Sequence, residues 1–397
     1  MTDSEPDPRL LAAIDRDELV ELARAAIRVP TVNPPGGERA LAELFAVRLR
    51  AEGIEAELVR HGAERASLVA RLRGDGDRPA LVLTGHLDVV GPGDRPWRHD
   101  PFGGEVVGDR LYGRGSSDMK GALASMAVAA VALRRAGARL AGDLVLAFTA
   151  GEEVDSLGAL GLVEAGHLRG ADGLVVAEPT DLEVYVAEKG NVTVEIRTTG
   201  TSAHASMPHL GRNAIYAMAD VIAALERHRF EAPPHRLLGQ PTLSVGTVRG
   251  GTGSNVVPDG CAIEVDVRSL PGQSVERVVG GLEALLADLR RARPELDARI
   301  ARTLGREAVE TAPDAPLVRD VVDVVAAVTG RRPTPGGVMF ATDASVLVPA
   351  LGVPMAICGP GHRELAHQTD EHVSIAALEQ AARIYALSAR RRLGGYA

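Results

Sequence analysis

Several short stretches of this 397-residue chain place acids or imidazoles where apolar runs stop. ALVLTGHLDVV (80–90) ends on His86 and Asp88, and LVLAFTAGEE (144–153) ends on the adjacent pair Glu152 and Glu153. DGLVVAEPT (172–180) ends on Glu178, Asp118 lies just ahead of the apolar run from 119, and HRELAHQTDEH (362–372) adds three histidines. Adjacent acids alone mark a solvated loop. Collected, however, His86, Asp118, Glu153, Glu178 and one late histidine make two imidazoles and three carboxylates, a donor set suited to one or two borderline metals such as Zn²⁺, Co²⁺ or Mn²⁺. Two metals need a bridging carboxylate and two terminal ligands each, which five residues supply. Glu152 is then left over, and an unligated carboxylate beside an activated water is what general-base catalysis requires. HRELAH does not have the HExxH spacing of a zincin, and GRGSSDMKG (113–121) is neither a P-loop nor a dinucleotide fingerprint.

The elements that must position these groups follow from hydrophobic periodicity. Residues 17–28, 37–52 and 119–137 have helical spacing, the last stopped by Gly137. The runs ending at His86, Glu153 and Glu178 are apolar throughout, as strands buried on both faces are. Such strands alternating with helices predict an α/β fold with a mostly parallel sheet flanked by helices, and ligands bind outside the carboxyl ends of its strands. After Gly190 the pattern changes. NVTVEIRTTG (191–200) and CAIEVDVRS (261–269) alternate apolar and polar residues, with helical runs at 213–228 and 274–292. An inserted α+β domain over 189–304 is expected, with 1–188 and 305–397 forming the metal-binding domain.

Bulk composition narrows the partners. Length favours two domains. A hydrophobic content of 45% with 24% charged residues fits a soluble globular chain, and a formal net charge of −9 argues against nucleic acid or an anionic membrane as the main partner. The opening MTDSEPDPRL lacks the basic and apolar regions of a secretory signal, and no apolar run is long enough for a membrane span. Cys261 and Cys358 read as core thiols, so a cytoplasmic location is expected.

In order along the chain, TGHLDVV (84–90), GRGSSDMKG (113–121), TAGEEVDSLG (149–158), VAEPT (176–180), GTSAHAS (200–206), GTGSNVVPD (251–259) and AHQTDEHV (366–373) resemble the successive signatures of the acetylornithine deacetylase, succinyl-diaminopimelate desuccinylase, aminoacylase and glutamate carboxypeptidase family, which are di-zinc amidohydrolases and peptidases. The resemblance selects His367 among the late histidines. It implies two Zn²⁺ per subunit, one on His86 and Glu178 and the other on Glu153 and His367, with Asp118 as the bridge. It also implies that the Asp88 carboxylate orients His86, that Glu152 is the general base and acid, and that 189–304 is a lid and dimerisation domain. His204 would donate to the oxyanion, often across a homodimer. Asn255 and Arg268 would contact substrate, Arg268 gripping a carboxylate through its fork. Gly359 would let backbone approach the substrate. The activity implied is hydrolysis of an N-acyl amino acid amide, or of a dipeptide or C-terminal peptide bond at the same site.

Overall fold

A computed structural model describes residues 8–394. The acidic opening over 1–7, on which the absence of a signal was read, lies outside the described residues. The chain packs as two compact units, one drawn from 8–186, 310–336 and 342–394, the other from 187–309 and 337–341. The structure is mixed α/β.

In the first unit, six strands lie side by side in the order Glu55–Arg60, Ala66–Leu72, Gly142–Thr149, Arg78–His86, Ala171–Val176 and Met355–Ile357. The last four are mutually parallel, and the first two join them antiparallel. The continuous apolar character of Arg78–His86 and Gly142–Thr149 has a direct cause: helices cover the sheet, and nearly every residue of these strands is buried. Helices Lys120–Arg135 and Ile375–Leu393 pack on each other and on Arg78–His86. The first of them is buried along almost its whole length, which its run of Ala, Val and Leu permits. Parallel register pairs His86 with Thr149 and Thr84 with Val176, so these strands finish at one level. The strands Glu55–Arg60 and Ala66–Leu72 form a hairpin that extends the sheet: Ala66–Leu72 pairs antiparallel with Gly142–Thr149, and the more exposed Glu55–Arg60 pairs antiparallel with Ala66–Leu72.

The second unit holds a four-stranded antiparallel sheet in the order Thr242–Gly250, Gly260–Ser269, Gly190–Thr199 and Asp297–Arg306. Burial alternates along Gly190–Thr199 and Gly260–Ser269, as the period-2 pattern requires. The inward residues, Val192, Val194, Ile196, Ile263, Val265 and Val267 among them, form one core with helices Ala214–Arg227 and Val275–Ala292. Among the described residues no helix is long and apolar enough to cross a membrane.

Candidate active site

The ends of the parallel strands bring the acids and imidazoles of the first unit together. His86 is the last residue of its strand and is almost fully buried. Its Nε2 lies 3.0 Å from Asp118 Oδ1 and 3.9 Å from Glu178 Oε1. On the other side, His367 Nε2 lies 3.0 Å from Glu153 Oε1 and 3.5 Å from Asp118 Oδ2. Asp118 thus presents one oxygen to each imidazole. It precedes helix Lys120–Arg135 without capping it: the cap position is Met119, which makes no side-chain cap bond. Donor atoms of His86, Asp118 and Glu153 all fall within 4.8 Å of one another.

The electrostatics of this cluster test whether a cation suits it. Burial alone would keep His86 neutral, but its bond to Asp118 and the charges of Glu178, Asp118 and Glu152 outweigh burial and lift its pKa well above the usual imidazole range. Burial pushes the Glu178 carboxyl up, and the negative charges of Asp118, Glu152 and Glu153 add to that, against the pull of His86. For Asp118, burial opposes ionisation, yet the His86 hydrogen bond and charge win and lower its pKa. His367 is raised, chiefly by its bond to Glu153. A buried imidazole driven to protonate and a carboxyl driven to keep its proton mean a surplus of negative charge in a largely buried site. A divalent cation bound by these N and O donors removes that surplus. The donor set fits a metal.

Asp88 meets the His86 ring through two groups: His86 Nδ1 is 2.9 Å from the Asp88 backbone carbonyl and 3.7 Å from the nearer carboxylate oxygen. The same carboxylate has further partners: Oδ1 accepts the backbone N–H groups of Gly151 (3.0 Å) and Glu152 (3.1 Å), and Oδ2 accepts those of Glu153 (3.2 Å) and the Asn33 side chain (2.9 Å). Asp88 therefore holds the turn that presents Glu152 and Glu153. A carboxylate with four acceptor sites in a buried turn satisfies amides that would otherwise be stranded. Gly359 packs closely against the protein's own backbone. A Cβ there would sit 2.2 Å from Ala177 O and 2.4 Å from Glu178 O. Its N–H donates to Thr180 Oγ1 and its carbonyl accepts from Leu182 N, so both backbone groups are already used. Its glycine is explained by close approach to the strand end that carries Glu178.

Glu152 is buried, with its backbone fixed by Asp88, and its charge acts on both His86 and Glu178. His204, Asn255 and Arg268 belong to the second unit. His204 lies on the exposed two-residue strand Ala203–His204, paired with Val256–Val257. The Ser206 backbone N–H donates to its Nδ1 at 3.1 Å, so the neutral ring carries its proton on Nε2. Asn255 is exposed, and its carbonyl accepts from Ala205 N. The Arg268 fork lies on Asp266, at 2.9 and 3.2 Å. Residues that sequence reasoning left without a role are Asn33, Arg114 and Glu371. The last two stand inside GRGSSDMKG and AHQTDEHV, and the signal they offered was a charge embedded in a buried stretch.

Comparison with known proteins decides the family. The model for peptidase family M20/M25/M40 matches residues 82–391, which spans every group of the cluster. The chain belongs to this family. It is a hydrolase acting on amide bonds. Among curated relatives it is similar to a probable succinyl-diaminopimelate desuccinylase of Staphylococcus epidermidis, 27% identical over 391 residues that cover 91% of this chain and 95% of that one. It is also similar to the acetylornithine deacetylase of Myxococcus xanthus, 34% identical over 358 residues covering 88% and 90%. The same fold is seen in the crystal structure of an M20 family metallo-carboxypeptidase from Sulfolobus solfataricus, with a TM-score of 0.78, 19% identity and coverage of 95% and 99%.

Proposed function

We propose that this member of the family cleaves the amide of an N-acyl amino acid, as a deacetylase or desuccinylase does. The observation that carries this reading is the convergence of His86, Asp118 and Glu153 within 4.8 Å at the strand ends, next to Glu152. The curated relatives supply the substrate class. His86 and Glu178 would hold one divalent cation, Glu153 and His367 the other, with Asp118 between them. We take the metal to be Zn²⁺, with Co²⁺ or Mn²⁺ able to replace it. Such ions, when bound, supply Lewis-acid polarisation of the scissile carbonyl and lower the pKa of water.

The chain's own residues do the rest. Glu152 takes a proton from the attacking water as the new C–O bond forms, and returns it to the amine nitrogen as the C–N bond breaks. Its fixed backbone keeps the carboxylate aimed without a reorganisation cost. His204, with its proton on Nε2, donates to the oxygen on which charge develops. Arg268 grips the substrate carboxylate, exchanging Asp266 for it, and Asn255 provides a further polar contact. We infer that the second unit is the lid and dimerisation domain of a homodimer. Its edge strand Thr242–Gly250 leaves a row of backbone groups open to pairing, and Val248 on this strand and Tyr216 on helix Ala214–Arg227 are strongly exposed. Two buried free cysteines suit a cytoplasmic enzyme.

A second reading, dipeptidase or carboxypeptidase, draws on the fold shared with the metallo-carboxypeptidase. One experiment separates the two. Amine release is measured from N-acetyl and N-succinyl amino acids, ornithine and diaminopimelate derivatives included, beside dipeptides. The protein is first stripped with chelator, then assayed with and without Zn²⁺ or Co²⁺. Metal-restored cleavage of an acyl series is the expected result. Cleavage of dipeptides alone moves the function to peptidase, and cleavage of neither overturns both.

A further inference from the structure

Two buried charges, Arg114 and Glu371, lie outside the acid–imidazole cluster yet bind the backbone on both sides of it. Glu371 is fully buried, and its Oε1 accepts the backbone N–H groups of Gly115 (3.1 Å), Ser117 (2.9 Å) and Asp118 (3.0 Å). Its Oε2 meets Arg114 Nη1 at 2.5 Å. Arg114, itself almost fully buried, extends the same fork to three carbonyls: Gln368 (3.3 Å), His367 (3.3 Å) and Gly91 (3.2 Å). Its guanidinium also lies 5.3 Å from the centre of the Trp97 ring. One ion pair therefore ties the turn carrying Asp118 to the loop carrying His367, residues separated by about 250 positions in the chain.

Stability alone does not account for this pair. A buried ion pair is about as costly to desolvate as it is favourable, and apolar residues of the same volume do as well or better. Apolar residues would not bond three amides and three carbonyls. The backbone of His367 also has φ of +63°, a left-handed conformation that a histidine keeps only where its surroundings hold it. Two of the three carbonyls held by Arg114 are those of His367 itself and of the residue after it. A planar five-donor fork is the side chain able to do this while also meeting a carboxylate.

We propose that Arg114 and Glu371 are positioning residues that set Asp118 and His367 as one unit, so that the distance between these two donors is fixed before any ligand arrives. This rests on the reading of the cluster as the metal site, and it adds a coupling that the donor set does not imply. Neither residue touches the reacting atoms.

The test uses the full chain with Arg114→Lys, Glu371→Gln and the double variant. Zn²⁺ affinity is measured by competition with a chromogenic chelator, alongside kcat and KM on the best substrate and thermal unfolding. Each single variant should fold, lose Zn²⁺ affinity at one site by about 10- to 100-fold, and lose kcat on the same scale with little change in KM. The double variant should be no worse than the poorer single one, because each change breaks the same link. Folded variants that bind Zn²⁺ and turn over like wild type overturn the proposal. Should the variants not fold, hydrogen exchange on wild-type protein decides: Zn²⁺ should slow exchange over 113–118 and 366–371 together, and separate responses overturn the coupling. Wild-type protein that binds no divalent cation overturns the reading of the cluster itself. Tight Zn²⁺ binding by wild type and by both folded variants overturns the positioning role alone.

Discussion

The two sheets of this molecule hold their polar side chains by opposite means. In the first unit, strands buried on both faces end in charged groups largely withdrawn from water, so most partners come from the protein. They come from far along the chain. Asp88 binds amides more than 60 residues away, and Glu371 binds amides about 250 residues away. In the second unit, the two inner strands turn alternate residues towards the surface, and the two groups expected to meet substrate are held by near neighbours. His204 leans on Ser206, and Arg268 on Asp266. The first arrangement fixes a geometry that a highly charged site would otherwise push apart. The second leaves side chains that can be re-aimed at small cost, because an exposed ion pair contributes little. On the proposed roles, the first unit supplies a preset reaction centre and the second supplies adjustable substrate contacts.

The largest effect should come from the preset side. Glu152→Gln keeps the shape of the turn and its bonds to Asp88 but removes the proton acceptor. Its kcat should fall about 10²- to 10⁴-fold, with metal content unchanged by elemental analysis. Near-normal turnover would mean that some other group moves the proton, and the contrast between the units would lose its chemical side. His204→Ala should follow, with about a 10²- to 10³-fold loss of kcat and unaltered metal binding. If His204 acts across a homodimer, mixing the Glu152→Gln and His204→Ala chains should restore part of the activity. No recovery after verified subunit exchange would place both groups in one chain.

Arg268→Ala tests the adjustable side. It should raise KM by roughly tenfold or more, as loss of a charge-assisted contact does, with a smaller change in kcat. Asp266→Asn should do the reverse and lower KM, since the fork is then unengaged before substrate arrives. An unchanged KM in both variants would leave the pair as a surface contact of its own strand.

What could be read from the sequence divides along the same line. Helices over 17–28, 119–137, 213–228 and 274–292 and the strands ending at His86 and near Glu152 were legible, because burial of a face or of a whole strand imposes a period on the residue types. The gathering of acids and imidazoles was legible because parallel strands finish at one level. The supporting bonds were not. Asp88 was expected beside the His86 ring, since HxD places them two residues apart, but that its carboxylate also binds the 151–153 amides could not be read. Backbone amides are the same at every position, so no residue type announces that a carboxylate will bind them. The close approach of Gly359 to Ala177 and Glu178 was equally hidden. Asn33 was invisible for the same reason, and Arg114 and Glu371 showed only as charges inside buried stretches: each acts on partners brought close only by the fold.

The smallest expected effect concerns the two cysteines, one in each unit. Cys358 follows strand Met355–Ile357 in the first unit, fully buried, and burial pushes its thiol up to about 12, with the charge of Glu183 adding to the shift. Cys261 begins the inward-facing row of strand Gly260–Ser269, and burial raises it too. Only thiolate reacts, so at pH 8 the reactive fraction of Cys358 is on the order of 10⁻⁴ even before access is considered. Iodoacetamide on native protein should therefore leave activity intact and label Cys358 only after denaturation. Cys261 lies beside the edge strand Thr242–Gly250, paired with Gly250, where local opening costs least. It should label first and slowly, without loss of kcat. Labelling of Cys358 ahead of Cys261 would show that the sheet bearing the cluster opens more readily than the sheet bearing His204 and Arg268. The geometry around Asp118 would then not be preset, and the distinction drawn between the two units would fail at its root.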